Sequence, residues 1–282
     1  MHKVAISGAS GFVGKNVGRF LAQKGFDVVA LVRKKQLGSG KFVMTKDLSE
    51  KRLPGQLRGC SALLHLIGLG RQTTGSDYET VNVDLTRNAV RLCKRAGIRK
   101  IIYLSGLGAD SKSTLGYFIS KFKAEREIIA SGLDYTIFRP SYIMGRGDAL
   151  STLLLGQSVR GSAIIPGSGR YRLQPIFVND VAQILAKAIG ERQFSRKVID
   201  LVGPKTVSYS RLVADLVGKT RVRHIDFERA HHDALVSQKS PFGVDDLSIL
   251  VGDYLGDHKR LAKISRIKFT EYGDMLQACR LA

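Results

Sequence analysis

Val4-Ala5-Ile6-Ser7-Gly8-Ala9-Ser10-Gly11-Phe12-Val13-Gly14 carries the local signals that set the architecture of the chain. A short apolar segment, Val4 to Ser7, enters a glycine-rich turn, and Val13, Val17, Phe20 and Leu21 then recur at helical spacing until Gly25 stops the run. This is a strand, a turn and a helix. In Gly8-x-x-Gly11-x-x-Gly14 the glycines permit a tight turn, close approach of backbone to a phosphate, and close packing of helix on strand. Backbone N–H groups at the helix N-terminus face that phosphate, and the helix dipole favours its charge. The turn is therefore expected to hold the pyrophosphate of a nicotinamide dinucleotide through Gly8, Ser10, Gly11, Phe12, Val13 and Gly14.

Beyond this segment, Asp27 to Val32, Lys41 to Thr45 and Ala62 to Ile67 are further β-branched or apolar runs separated by Pro, Gly and Ser clusters. Val81 to Ala96 reads as an amphipathic helix closed by Gly97, Lys100 to Leu104 as a fifth strand, Tyr117 to Ser131 as a helix closed by Gly132, and Tyr135 to Phe138 as a sixth strand. Near-continuous apolar strands alternating with helices predict an α/β fold, a Rossmann-type doubly wound parallel sheet over residues 1–140. After Pro140 the pattern changes to Gly-rich loops, including Gly156 to Gly169, so 141–282 is read as a smaller C-terminal substrate lobe. It is interleaved with the core, since the strand-and-helix segments near 175–189 and 198–217 suit a return to the sheet. Arg221 to Gly256 has weak periodicity beyond a short helix near Asp245 to Gly252, and Asp257 to Leu281 reads as two short helices.

Arg33 ends the second strand, where an NAD-selective site usually carries Asp or Glu for the ribose 2′-hydroxyl. With Lys34 and Lys35 beside it, a 2′-phosphate would be met by cations, so NADP(H) is preferred over NAD(H). The 45 Lys and Arg against 24 Asp and Glu give +21, a charge that attracts polyanions. The basic residues are spread along the chain without aromatic interleaving, so a solvated surface is favoured over a nucleic-acid site. The longest apolar runs are too short to cross a bilayer, and a strand beginning at Lys3 leaves no room for a leader, so a cytoplasmic protein is expected. Cys60, Cys93 and Cys279 lack disulfide or zinc spacing, and no metal site is expected. His65, within an apolar strand, reads as a satisfied core histidine.

These residues resemble the extended and atypical branches of the short-chain dehydrogenase/reductase superfamily, related to NAD-dependent epimerases and dehydratases. The resemblance is carried by the glycine turn, Asp47-Leu48, Ile67-Gly68, Val81-Asn82-Val83 with Thr86 and Asn88, Tyr117-Phe118-Ile119-Ser120-Lys121, Arg139-Pro140 and Val178-Asn179-Asp180-Val181-Ala182. It implies that Asp47 and Leu48 lie on the adenine side, and that Ile67, Gly68, Asn82, Lys121 and Pro140 border the cofactor. Ser105-Gly106-Leu107-Gly108-Ala109-Asp110 is most similar to the group containing the nucleotide-binding accessory subunit of respiratory complex I, whose members bind NADP(H).

Tyr117 and Lys121, one helical turn apart, share a face, and a nearby ammonium stabilises a phenolate. The resemblance makes Tyr117 the acid/base and Lys121 the cofactor anchor. The family's third member, a Ser after the fifth strand, is displaced. Ser105 is the candidate, with Ser111 and Ser113 as substitutes, because Leu107 stands at the expected place. Asn82 either supports the active-site helix or bonds at a helix start. The leading expectation is an NADP(H)-dependent oxidoreductase or epimerase-type enzyme for an unknown small substrate. The alternatives are a non-catalytic nucleotide-binding subunit, attached to a respiratory complex or peripheral to an anionic membrane, and an RNA-binding member of the family.

Overall fold

A computed structural model describes residues 2–34, 41–237 and 240–281. In chain order the elements are β1 (Lys3–Ser7), α1 (Phe12–Gln23), β2 (Asp27–Val32), β3 (Lys41–Met44), α2 (Leu53–Gln56), β4 (Cys60–His65), a π-helical segment (Glu79–Asp84) running into α3 (Leu85–Ala96), β5 (Lys100–Leu104), α4 (Gly116–Ile129) and β6 (Asp134–Pro140). There follow β7 (Tyr142–Met144), α5 (Ala149–Val159), β8 (Ser162–Pro166), β9 (Arg172–Leu173), β10 (Pro175–Phe177), α6 (Val178–Gly190), β11 (Lys197–Leu201), β12 (Val207–Ser208), α7 (Tyr209–Val217), β13 (Arg221–Ile225), α8 (Phe227–Val236), α9 (Val244–Leu250), α10 (His258–Ser265) and α11 (Tyr272–Arg280).

The chain divides into two compact units. The first comprises Met1–Pro140, Val178–Leu201 and Lys259–Ile267, and contains a seven-stranded sheet in the order β11-β6-β5-β4-β1-β2-β3. Every pairing in that sheet is parallel. The strand order reverses between β1 and β4, the switch point at which doubly wound sheets open a crevice beyond the strand C-termini. Strands β1, β4 and β5 are buried along most of their length, as a sheet covered on both faces requires. In the helical layers α1 packs with α6, and α3 with α2 and α4. Leu63, Leu92, Ile101, Tyr103 and Ile128 belong to the core on the α3 side.

The second unit comprises Ser141–Phe177, Val202–His258 and Lys268–Ala282, with three two-stranded sheets and a core including Met144, Leu154, Tyr209, Leu212 and Met275. Asp148 starts α5 by accepting a bond from Ser151 N at 2.8 Å, and the Gly156 to Gly169 stretch read as loop holds the end of α5 and all of β8. Within Arg221 to Gly256, α9 is the short helix expected near Asp245 to Gly252, whereas β13 and α8 stand where the weak periodicity marked no element. In β13 only Val222 and Ile225 are shielded while its basic residues face solvent, so a partner-paired strand carries almost no apolar signal. Arg172 is engaged by Asp253 through Nε and Nη2, at 2.9 and 2.6 Å.

Candidate functional site

The sequence-derived site residues of the first unit fall at or just beyond the strand C-termini of its sheet or on adjoining helices. Gly8 follows β1, Arg33 and Lys34 follow β2, Asp47 and Leu48 follow β3, Ile67 and Gly68 follow β4, Ser105 follows β5, and Pro140 ends β6. Gly8 lies at φ +78° against the backbone of Leu66 and Ile67, and Gly11 N donates to its carbonyl at 3.1 Å. A Cβ on Gly14 would overlap that same carbonyl oxygen, so only glycine brings the first turn of α1 down onto the loop. Gly11 caps α1 without a side-chain hydrogen bond, and Ser10 is exposed beside it. Phe12 and Val13 are half-buried. This cradle fits a pyrophosphate held by main-chain N–H groups.

Arg33 and Lys34 are exposed; Lys35 lies outside the described residues. Asp47 accepts from Ser49 N at 3.0 Å and Ser49 Oγ at 2.6 Å, bonds that hold its carboxyl below the usual carboxylate range. Leu48 is buried at φ +68°, a left-handed geometry disfavoured by its Cβ, and its N–H donates to Thr45 Oγ1 at 2.8 Å. Asn88 Nδ2 donates to the Asp47 carbonyl at 2.9 Å, tying this loop to α3.

Lys121, on α4, is buried beneath Gly68. Its Nζ donates to the Leu104 carbonyl at 3.1 Å and to Tyr103 Oη at 3.3 Å, and lies 5.9 Å from the Tyr117 ring centroid. A Cβ on Gly68 would stand 2.8 Å from this nitrogen. Burial pushes the ammonium down to about 8, partly opposed by the Glu125 carboxylate one turn on. Tyr117 packs over Gly106, edge-on to Tyr78 and Phe118 at centroid separations of 6.0 and 5.0 Å. Burial of its phenol pushes Tyr117 up to about 12, so at neutral pH it carries its proton.

Ser105 is 3% exposed, and its Oγ has no hydrogen-bond partner. A buried hydroxyl at the mouth of a crevice is the polar handle that a bound molecule would satisfy. Its N–H donates to Phe138 O, and Leu107 N to Pro140 O, so the strand-end loop is pinned through its backbone. Ser113 Oγ accepts from Leu115 N at the entry to α4, and Ser111 is exposed.

A buried polar network supports these groups. Thr86 Oγ1 donates to the Asn82 carbonyl at 2.6 Å, leaving its lone pairs for His65 Nε2 at 3.1 Å. His65 therefore carries its proton on Nε2, and Nδ1 accepts from Ser7 Oγ at 2.7 Å. Burial and the Lys121 charge push His65 down to about 3, so the ring is neutral. Tyr103, its phenol pushed up by burial, accepts from Lys121 Nζ. The Asn82 side chain accepts from Leu69 N at 2.8 Å and donates to Leu69 O and Ser120 Oγ at 3.2 and 2.9 Å. The π-helical turn carries Asn82, where the sequence reading expected one regular helix; such turns accommodate an extra residue and frequently mark functional sites. His65 is thus the satisfied core histidine that its apolar strand led one to expect, whereas Tyr103 was read only as a strand residue; its polar end inside an apolar run was the available signal that a partner had to exist.

Among the described residues no group of three His, Cys, Asp or Glu side chains could hold a metal, and no helix is long and apolar enough to cross a membrane.

A family model described as NAD(P)H-binding matches residues 8–191. Over 186 residues the chain is 34% identical to a ceramide reductase of Caulobacter vibrioides, covering 64% of this chain and 58% of that protein. It is 25% identical over 234 residues to mouse (Mus musculus) mitochondrial NADH dehydrogenase [ubiquinone] 1 alpha subcomplex subunit 9, covering 79% of this chain and 62% of that one. The matched regions thus span about three fifths of these relatives. The structure of MoeE5 in complex with UDP-glucuronic acid and NAD superposes with a TM-score of 0.79 at 20% identity, covering 99% of this chain and 98% of that one, a likeness of fold.

Proposed function

The chain belongs to this NAD(P)H-binding family, within the short-chain dehydrogenase/reductase superfamily, and from that premise we propose that it is an NADPH-dependent reductase of a carbonyl substrate. The observation that carries the reading is the pairing of a protonated Tyr117 with a buried Lys121 beside the glycine cradle. The bound cofactor supplies a hydride to the carbonyl carbon. Tyr117 Oη gives its proton to the carbonyl oxygen as the alcohol forms, and solvent restores it. Protonated at neutral pH, the Tyr117 phenol stands ready to act as an acid. Lys121, mostly charged at pH 7, lowers the cost of the transient phenolate and holds the nicotinamide-side ribose. Ser105 Oγ donates a hydrogen bond to the carbonyl oxygen. Arg33 and Lys34 grip a 2′-phosphate, which makes NADPH the preferred form. Asp47 and Leu48 border the adenine, and Ile67, Gly68, Asn82 and Pro140 the nicotinamide half.

A second reading, a nucleotide-holding subunit without turnover, is favoured by Leu107, which offers no hydroxyl where a Ser would polarise substrate. Hydride transfer from NADPH to a panel of long-chain ketones, simple ketones and nucleotide-sugar ketones decides between them. Long-chain ketones are included because one relative is named a ceramide reductase. Turnover that falls roughly 10²–10⁴-fold in Tyr117→Phe with NADPH affinity retained supports the reductase. Tight NADPH binding without turnover on any member selects the second reading, and failure to bind either nucleotide defeats both.

A further inference from the structure

The net charge of +21 is not distributed evenly. The first unit carries 32 basic against 13 acidic residues, +19, while the second carries 13 against 11, +2. Within the first unit the parallel sheet imposes an order on this charge. All seven strands start at one edge, and the helices that precede them end there, so the helix-to-strand connections form the edge opposite the cofactor crevice.

That edge is cationic. Arg58, Arg99 and Arg196 lie in its connections and Lys94, Arg95 and Arg126 in the last turns of helices that lead into them, and all six are exposed without an ion-pair partner among the described residues. The carboxylates at the strand starts are already engaged. Asp27 pairs with Lys41 at 2.9 Å and Asp134 with Lys100 at 3.0 Å. Complementing a helix dipole accounts for Lys94 and Arg95 in the last turn of α3 and Arg126 in that of α4. It does not account for Arg58, Arg99 or Arg196, which stand in the loops. Arg196 even occupies φ +52°, where glycine would be unstrained.

We infer that this strand-start edge of the first unit is a docking surface for an anionic lipid bilayer, independent of the chemistry at the opposite edge. Seven strands at about 4.8 Å spacing give a row of roughly 29 Å, a broad front of cations suited to a diffuse plane of headgroup phosphates. Nucleic-acid surfaces present aromatic platforms for bases and helix N-termini for phosphates. Here Phe26, Tyr135 and Phe194 are half-buried or buried, and helix C-termini point to the edge, so contacts come from long side chains reaching outward.

The test is cosedimentation of the full chain with vesicles of phosphatidylcholine alone or mixed with phosphatidylglycerol, across a salt series. Binding is expected only to the mixed vesicles and should weaken as salt screens the surface. Each neutralised cation should weaken it about fivefold, so Arg58→Gln/Arg99→Gln/Arg196→Gln should bind on the order of 100-fold more weakly. A charge-matched triple in the second unit, Lys219→Gln/Arg221→Gln/Arg223→Gln, should bind nearly as well as the parent. Unchanged thermal unfolding of both triples excludes misfolding as the cause; if the first triple unfolds early, its single variants replace it and should each show the fivefold loss. Equal losses in the two triples, equal binding to neutral vesicles, or tighter binding to a nucleic-acid duplex than to anionic vesicles at the same salt would overturn the inference.

Discussion

Replacing Lys121 by Met separates what this residue does for the site from what it does to the fold. The ammonium is buried and its pKa lies near 8 instead of 10.5, so the folded chain binds that proton less tightly than the unfolded chain. Below pH 8 both states are protonated and the penalty on folding is full. As pH rises through 8 the folded state releases the proton and the penalty shrinks, vanishing above 10.5. At 1.36 kcal/mol per pH unit the penalty is about 3 kcal/mol at pH 7 and about 2 kcal/mol at pH 9. Methionine fills a similar volume without charge but forfeits the bonds to Leu104 O and Tyr103 Oη, roughly 1 kcal/mol each. Lys121→Met should therefore be more stable than the parent by about 1 kcal/mol at pH 7, raising Tm by about 2–4 °C, and near parity at pH 9. The same variant should lose cofactor-dependent activity. Denaturant unfolding at both pH values measures the gap. A gap that does not close between pH 7 and 9, or a variant clearly less stable at pH 7, would show that Lys121 is not a strained charge.

Other consequences follow from the same geometry. Gly14→Ala forces a methyl into the Gly8 carbonyl and should destabilise the first unit by about 1–3 kcal/mol, read by chemical denaturation; a neutral result would mean that the turn is looser than described. Arg139 grips Glu125 through Nε and Nη2 at 2.9 and 2.6 Å, and Glu125 is 2% exposed. Arg139→Leu should thus cost about 3–5 kcal/mol, with much of it recovered in Arg139→Leu/Glu125→Leu. His65, held near 3 in the fold against 6.5, makes stability fall by about 1.4 kcal/mol per pH unit as pH drops below 6.5 toward 3, because only the unfolded chain takes the proton. Nitrogen-15 NMR should show a neutral Nε2–H ring at pH 5, and an imidazolium signal there would contradict the network.

The doubly wound sheet was legible because its signals are local. An apolar segment entering a glycine turn, strands without polar alternation, and helices closed by Gly25, Gly97 and Gly132 each state an element within a dozen residues. Where an element owes its existence to a distant partner, the signal failed. β13 is a strand because β8 lies beside it, and its arginines and histidine gave no apolar pattern to read. The π-helical turn is likewise invisible to a period of 3.6, since Asn82 is held by Leu69 and Ser120 rather than by its sequence neighbours.

Turn chemistry and periodicity act within a few residues, so the strand-turn-helix that opens the chain, the alternation that makes the sheet parallel, and the residue types available to the crevice are all written locally. The physical state of those residues is set by packing between elements distant in the chain. Burial, which no local pattern encodes, raises the Tyr117 phenol and brings Lys121 down to about 8. Contacts across strands fix the tautomer of His65, and the parallel topology gathers dispersed Lys and Arg at the edge opposite the cradle.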